Sequence, residues 1–268
     1  MLQLIRIVVP VFGTIIFAGM ASAQTLDESR MACRGSFRLN TNTSISACTA
    51  LIESGQETEK DLARDFRDRG VHHHSLRGYD HEIEDYDGAI KADPNYAEVF
   101  YLRGDAYRAK RDYDRAIENY GQALSVQPLN QQRGPAYLQL TYYSRGLAYA
   151  AKGENDLAIQ DFGRALEYYN HSVLDREILV TRAKAYRANG DYDLAIQDFD
   201  RQLATQPRDW CALYGRSLAY HGKGDEQQAT EDFSRAASYF DDAMKFVTSR
   251  RPNLHVPQSL AQACGDKR

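Results

Sequence analysis

The chain has 268 residues, 43% of them hydrophobic and 26% charged, with a formal net charge of −4, so it is long enough to bury a continuous core and has no broad basic surplus. That balance speaks against nucleic acid as a partner, and charges dispersed along the chain read as a solvated helix face. Outside the first 23 residues no segment is long and apolar enough to span a bilayer.

Residues 1–23 read as a secretory leader. Arg6 precedes an apolar stretch over 7–18, and Ala21, Ser22 and Ala23 form the small-x-small pattern of a cleavage site, so the mature chain is expected to begin at Gln24 in the periplasm or outside the cell. The stretch is shorter than the ~20 apolar residues of a transmembrane helix, which disfavours retention as an anchor. Losing Arg6 moves the net charge from −4 to −5. Cys33 is not a lipoprotein cysteine, because Asp27, Glu28 and Arg30 separate it from the apolar run.

Four cysteines, an even number in an exported chain, point to two disulfides, with free buried thiols as the competing state. Residues 31–55 carry SACTALIESG, an echo of AIENYGQAL further along, with Ile45, Cys48 and Leu51 in the apolar columns. Residues 24–62 therefore read as a degenerate half-repeat that caps the N-terminal end of the fold. Cys33 falls on its first helix and Cys48 on its second. Closing that 15-residue loop corresponds to about 3 kcal/mol in the chain-entropy description. Cys211 with Cys264 would fold the tail, 244–268, onto the last unit.

Between these ends a pattern recurs. The motifs YLRGDAY at Arg103, YSRGLAY at Arg145, VTRAKAY at Arg182 and YGRSLAY at Arg216 are each succeeded by AIENY, AIQDF, AIQDF or ATEDF. From Gly70 the steps to Gly104, Gly146, Ala183 and Ser217 are 34, 42, 37 and 34 residues, and the aromatic column Tyr86, Tyr120, Phe162, Phe199, Phe233 keeps the same steps. This register gives five units, at 63–96, 97–130, 139–172, 176–209 and 210–243. Ala106, Tyr107, Ala116, Ile117, Tyr120, Ala123 and Leu124 recur at helical spacing, so each unit reads as two amphipathic helices. Polar turns with glycine, such as KGEND at Lys152 and NGDYD at Asn189, separate them. Strand-type alternation is missing, which makes the fold all-α.

Phe100, Gly104, Tyr107, Ala116, Tyr120, Ala123 and Pro128 in the second unit, repeated imperfectly in the others, resemble the tetratricopeptide repeat, a helix-turn-helix unit. Repeats one and four depart from it at His73, Glu82 and Gln202. The resemblance implies a right-handed α-solenoid whose first helices form a concave groove for a protein or peptide. Carried over residue by residue, the groove would present Tyr101, Asp105 and Arg108, then Tyr143 and Leu147, then Val180, Lys184 and Arg187, then Tyr214 and Leu218. Relatives that clamp a terminal carboxylate place lysine and asparagine where this chain has Tyr101, Asp105, Tyr143 and Leu147, so no such clamp is expected.

The resemblance also implies apolar residues at two columns that here read Arg69, Arg103, Arg145, Arg182, Arg216 and Asp85, Asn119, Asp161, Asp198, Asp232. Opposite charges appearing in the same units suggest ion pairs between paired helices, with a ligand-binding arginine ladder as the alternative. Asn119 leaves Arg103 to another partner. His72, His73 and His74 point about 100° apart on a helix and cannot converge on one metal ion. Cys211 and His221, ten residues apart on one helix, would stand roughly 15 Å apart, too far for a nucleophile and base. With no phosphate loop or nucleophile elbow, neither an enzyme nor a cofactor nor a small-molecule substrate is expected. The expected function is an exported scaffold binding a protein or peptide in an envelope assembly. The alternative is a periplasmic polysaccharide-handling module whose tyrosines stack on sugars.

Overall fold

A computed structural model of the chain describes residues 26–35, 40–126, 134–168, 173–250 and 259–265. The leader over 1–23 and its cleavage site after Ala23 lie outside the described residues. Every regular element among the described residues is helical. No described helix is long and apolar enough to cross a membrane. Contacts divide the chain into two compact units, Met1–Asp112 and Tyr113–Arg268.

The first unit holds α1 (26–34), α2 (Thr41–Ser54), α3 (Glu59–Ser75), α4 (Tyr79–Ala92) and α5 (Ala97–Ala109). From α2 onward each helix packs on the next. Thr58 starts α3 by accepting a hydrogen bond from the Asp61 amide, with Glu59 and Asp61 set against the positive end of the helix. Cys33 on α1 and Cys48 on α2 are joined by a disulfide and fully buried with Leu51, a small core at an end with no described repeat before it. A second cluster forms where Tyr86, Ala89 and Val99 meet Phe66, Tyr96 and Leu102.

The second unit runs through α6 (Tyr113–Val126), α7 (Pro135–Lys152), α8 (Asn155–Tyr168), α9 (Val173–Asn189), α10 (Tyr192–Thr205), α11 (Trp210–Lys223), α12 (Glu226–Arg250) and α13 (Leu260–Ala263). Consecutive helices from α6 to α12 pack pairwise, α9 also meets α11, and α13 rests on α11 and α12. The extra residues between repeats partly lengthen first helices. The helix α7 starts at Pro135, whose missing N–H costs nothing at a helix start, and α9 starts at Val173. The last long helix continues to Arg250, so the tail expected from 244 is helical in its first part.

Small residues set the helix approach. A Cβ added at Gly146 would come within 2.6 Å of the Phe162 ring, and one at Gly70 within 2.6 Å of Tyr86. Tyr86, Tyr120, Phe162 and Phe199 are buried, whereas Phe233 at the end of the column is 50% exposed. The ring of Phe199 lies 2.3 Å from where a Cβ of Gly215 in the next repeat would sit, and Phe233 has no described repeat after it.

Each turn that follows a first helix holds one residue in the left-handed region. The positions are Arg77, Arg111, Gly153, Gly190 and Gly224, with φ of 57°, 61°, 82°, 85° and 89°. Their spacing repeats the 34, 42, 37 and 34 of the sequence register. Glycine takes this conformation without penalty, and arginine does not.

Candidate functional site

The arginine and aspartate columns meet as structural ion pairs. Arg145 donates Nε and Nη2 to separate oxygens of Asp161 at 2.7 and 2.8 Å. Arg182 does so to Asp198 at 2.7 and 2.7 Å, and Arg216 to Asp232 at 2.6 and 2.8 Å. These three aspartates are buried, so each pair is shielded from water and held in the fork geometry that suits guanidinium and carboxylate. The Arg145 guanidinium is pushed up by its hydrogen bond to Asp161, against the opposing effect of burial. Arg69 instead places both nitrogens on one oxygen of Asp85, at 2.9 and 2.6 Å.

The same arginines also look back to the preceding repeat. Arg103 pairs with Asp87 and Arg216 with Asp200, in both cases 16 residues earlier. The matching positions before Arg145 and Arg182 are Gly121 and Gly163, whose side of the helix the guanidinium approaches directly. Asn119 donates to the Arg115 carbonyl of its own helix at 2.7 Å. An arginine ladder open to ligand is therefore not what forms; each column member is engaged within the stack.

A further column went unread in the sequence. Lys110 pairs with Asp80, Lys152 with Asp114 at 2.6 Å, and Lys223 with Asp193 at 2.5 Å, while Asn189 donates to Asp156 at 2.6 Å. Each joins the end of a first helix to the first turn of the preceding second helix. A recurring acid 30 residues before the turn cation, corrected for the two insertions, was the available signal.

Tyr101, Asp105 and Arg108 lie along one side of α5, half-buried, with Arg108 on Asp105 at 3.0 Å. In the second unit Leu147, Val180, Lys184, Arg187, Tyr214 and Leu218 are half-buried on α7, α9 and α11. Tyr143 departs from the expected groove: it is only 8% exposed and packs on Phe162 with ring centroids 5.8 Å apart. Phe162 leans over Gly146, and Tyr143, one turn earlier, closes over the same ring. Its neighbour Tyr142 is the more exposed of the two and stacks on Tyr168 at 5.6 Å.

The three histidines each reach a different group. His72 Nε2 lies 3.0 Å from the Cys33 carbonyl, His73 Nε2 3.7 Å from Asp85 and His74 Nδ1 3.0 Å from the buried Glu82. They tie α3 to α1 and α4 and converge on nothing. Among the described residues no group of three His, Cys, Asp or Glu side chains could hold a metal ion.

The described tail also returns to the repeats. Cys264 is bonded to Cys211 at the start of α11, and its carbonyl accepts from Lys184 Nζ at 2.6 Å. Beside the bond lies an open cleft of about 590 Å³ lined by the turn between α10 and α11, Trp210, Cys211 and Ala263.

Tetratricopeptide repeat patterns match residues 97–130, 141–171 and 180–244. No curated protein matches the chain significantly. Among solved structures, MamA superimposes with a TM-score of 0.58 at 23% identity, over 66% of this chain and 96% of that one. YrrB, described as a TPR protein with an unusual peptide-binding site, superimposes with a TM-score of 0.62 at 21% identity, over 77% and 99%. A tetratricopeptide repeat protein from Parabacteroides merdae does so with a TM-score of 0.60 at 19% identity, over 81% and 80%. At these identities the likeness concerns the fold. Recurrent helix pairs, the small-residue approach and the matched patterns together make this chain a member of the tetratricopeptide repeat family.

Proposed function

We propose that the chain is an exported, non-enzymatic scaffold that binds a protein or peptide on the first-helix faces of its repeats, within an envelope assembly. The observation that carries this reading is the set of half-buried amphipathic side chains on those helices, with Tyr101 and Arg108 on α5 and Val180, Lys184, Tyr214 and Leu218 on α9 and α11. Tyrosine and arginine supply contact area and directed hydrogen bonds at little ordering cost. The likeness to YrrB, a protein with a peptide-binding site, supports a peptide over other ligands. Export is supported by the apolar leader over 1–23 and by four cysteines all placed in pairs. The sugar-stacking alternative loses Tyr143, which is buried.

The test is affinity capture with a cross-linker from envelope extract. Replacing Tyr101 and Tyr214 by alanine is expected to cut capture about tenfold or more, the size of a modest hot-spot loss, with helicity unchanged. Unchanged capture, together with its loss on charge reversal at the outer helices, would overturn the reading.

A further inference from the structure

The described end of the tail sits where a partner would bind in the second unit. Leu260 is buried in the cluster built from α9, α10, α11 and α12, against which Val180, Tyr214, Cys211 and Ala263 also pack. Ser259 caps the short turn by accepting from the Gln262 amide at 3.2 Å. The Cys264 carbonyl takes the Lys184 ammonium, and its sulfur is bonded to Cys211. Val180 and Lys184 are one turn apart on α9, as are Cys211 and Tyr214 on α11, so all four lie on the faces already read as the partner surface. The segment thus offers this surface a leucine for its apolar cluster, small residues for close approach and a backbone carbonyl for its lysine.

We propose that the α9 and α11 face is a docking site for a short peptide turn carrying a leucine with small residues after it, and that residues 259–265 are its built-in occupant, latched by Cys211–Cys264. The proposal rests on the reading of the first-helix faces as the binding surface and adds how that surface is regulated. Cys211 is half-buried and lines the open cleft, whereas Cys33 and Cys48 are 0% exposed, so a dithiol reaches Cys211–Cys264 and not Cys33–Cys48. One thiolate of the dithiol attacks the Cys211 sulfur and Cys264 leaves as a thiolate that takes up a proton. The dithiol's second sulfur then closes on the first, releasing Cys211. Two electrons pass to the protein, and the dithiol becomes a disulfide.

In the full-length chain, dithiothreitol is expected to open Cys211–Cys264 about tenfold faster than Cys33–Cys48, read by alkylation and peptide mapping. Equal rates would overturn the latch. For the docking site, the probe is a synthetic SLAQACG peptide whose cysteine is activated as a mixed disulfide with thionitrobenzoate. Full-length protein carrying Cys264→Ser and Leu260→Asp is expected to react at Cys211 about tenfold faster with this peptide than with one holding aspartate in place of leucine. Equal reactivity would overturn the site. Should that variant not fold, Lys184→Met alone is expected to speed reductive opening several-fold, on the order of the loss of one charged hydrogen bond, and an unchanged rate would overturn the proposal. The probe needs no partner. Equal peptide reactivity with capture still dependent on Tyr101 and Tyr214 sinks the docking site alone, and selective reactivity without that dependence sinks the wider reading.

Discussion

Arg182 and Asp198 in the second unit meet fork to fork, one nitrogen to each oxygen, while Arg69 crowds both its nitrogens onto a single oxygen of Asp85 in the first. Arg34 treats Asp65 in the same one-sided way. In consequence the Oδ2 atoms of Asp65 and Asp85 are buried without a hydrogen bond among the described residues. Burial then pushes both carboxyls up from the usual carboxylate range, against the pull of the neighbouring arginine. The same contrast recurs in the turns, where Arg77 and Arg111 hold the left-handed conformation that Gly153, Gly190 and Gly224 take freely. Repeats of one fold can therefore differ in how well each junction is satisfied. A buried carboxylate stabilises a junction more when both of its oxygens have partners.

The largest expected effect concerns the ion pairs. Asp198→Ala leaves Arg182 unpaired in a mostly buried site and is expected to cost about 3 kcal/mol, whereas Asp85→Ala, which removes a carboxylate already half satisfied, is expected to cost about 1 kcal/mol. The single tryptophan, Trp210, reports the second unit by fluorescence, and amide exchange across α3 and α4 reports the first. Equal costs would break the comparison. In a double-mutant cycle Arg182→Ala with Asp198→Ala is expected to cost less than the summed singles, and strict additivity would show that the pair does not couple.

Next comes packing in the second unit. Gly146→Ala drives a methyl into the Phe162 ring and is expected to lose about 1–3 kcal/mol in chemical denaturation monitored at Trp210. No loss would mean that the ring has room to retreat.

The turn column gives a smaller effect of opposite sign in the two units. Arg77→Gly and Arg111→Gly are each expected to raise the stability of the first unit by about 1 kcal/mol, and Gly153→Ala to lower that of the second by a similar amount. Thermal melts of the single variants would show a shared sign if the backbone at these turns does not matter.

The smallest effect is the response to pH. Burial raises the folded-state pKa values of Asp65, Asp68, Asp85 and Glu82 above their ordinary ones, so these groups favour the folded first unit as pH falls through the raised values, and that contribution is complete below about 4. His73 works the other way. Burial depresses its imidazole below 6.5, so its contribution is present above 6.5 and lost as pH falls through the depressed value. In His73→Gln the opposing group is gone, and α3 and α4 are expected to gain protection relative to α9 and α10 as pH is lowered from about 7 to about 5. A relative loss of protection would contradict the assigned directions.

The helical pairs, their register and the partners of Arg145, Arg182 and Arg216 were legible because a repeat places like residues in like environments, so two columns that turn charged together have to meet. Phe233 and Tyr143 mark the limit of that reasoning. The first is exposed because no described repeat covers it, and the second is buried because it shares a ring with Gly146 across the helix pair. Asp87 as the partner of Arg103, and the lysine column that ties each turn to the preceding second helix, depended on which helix ends stack side by side. Periodicity by itself determined the helices and the charge columns, since these arise from short-range spacing. Only the tertiary structure decided the fork or one-oxygen geometry of each pair and the return of Leu260 and Cys264 to the α9 and α11 face, because those depend on distances of a few tenths of an ångström and on contacts made far along the chain.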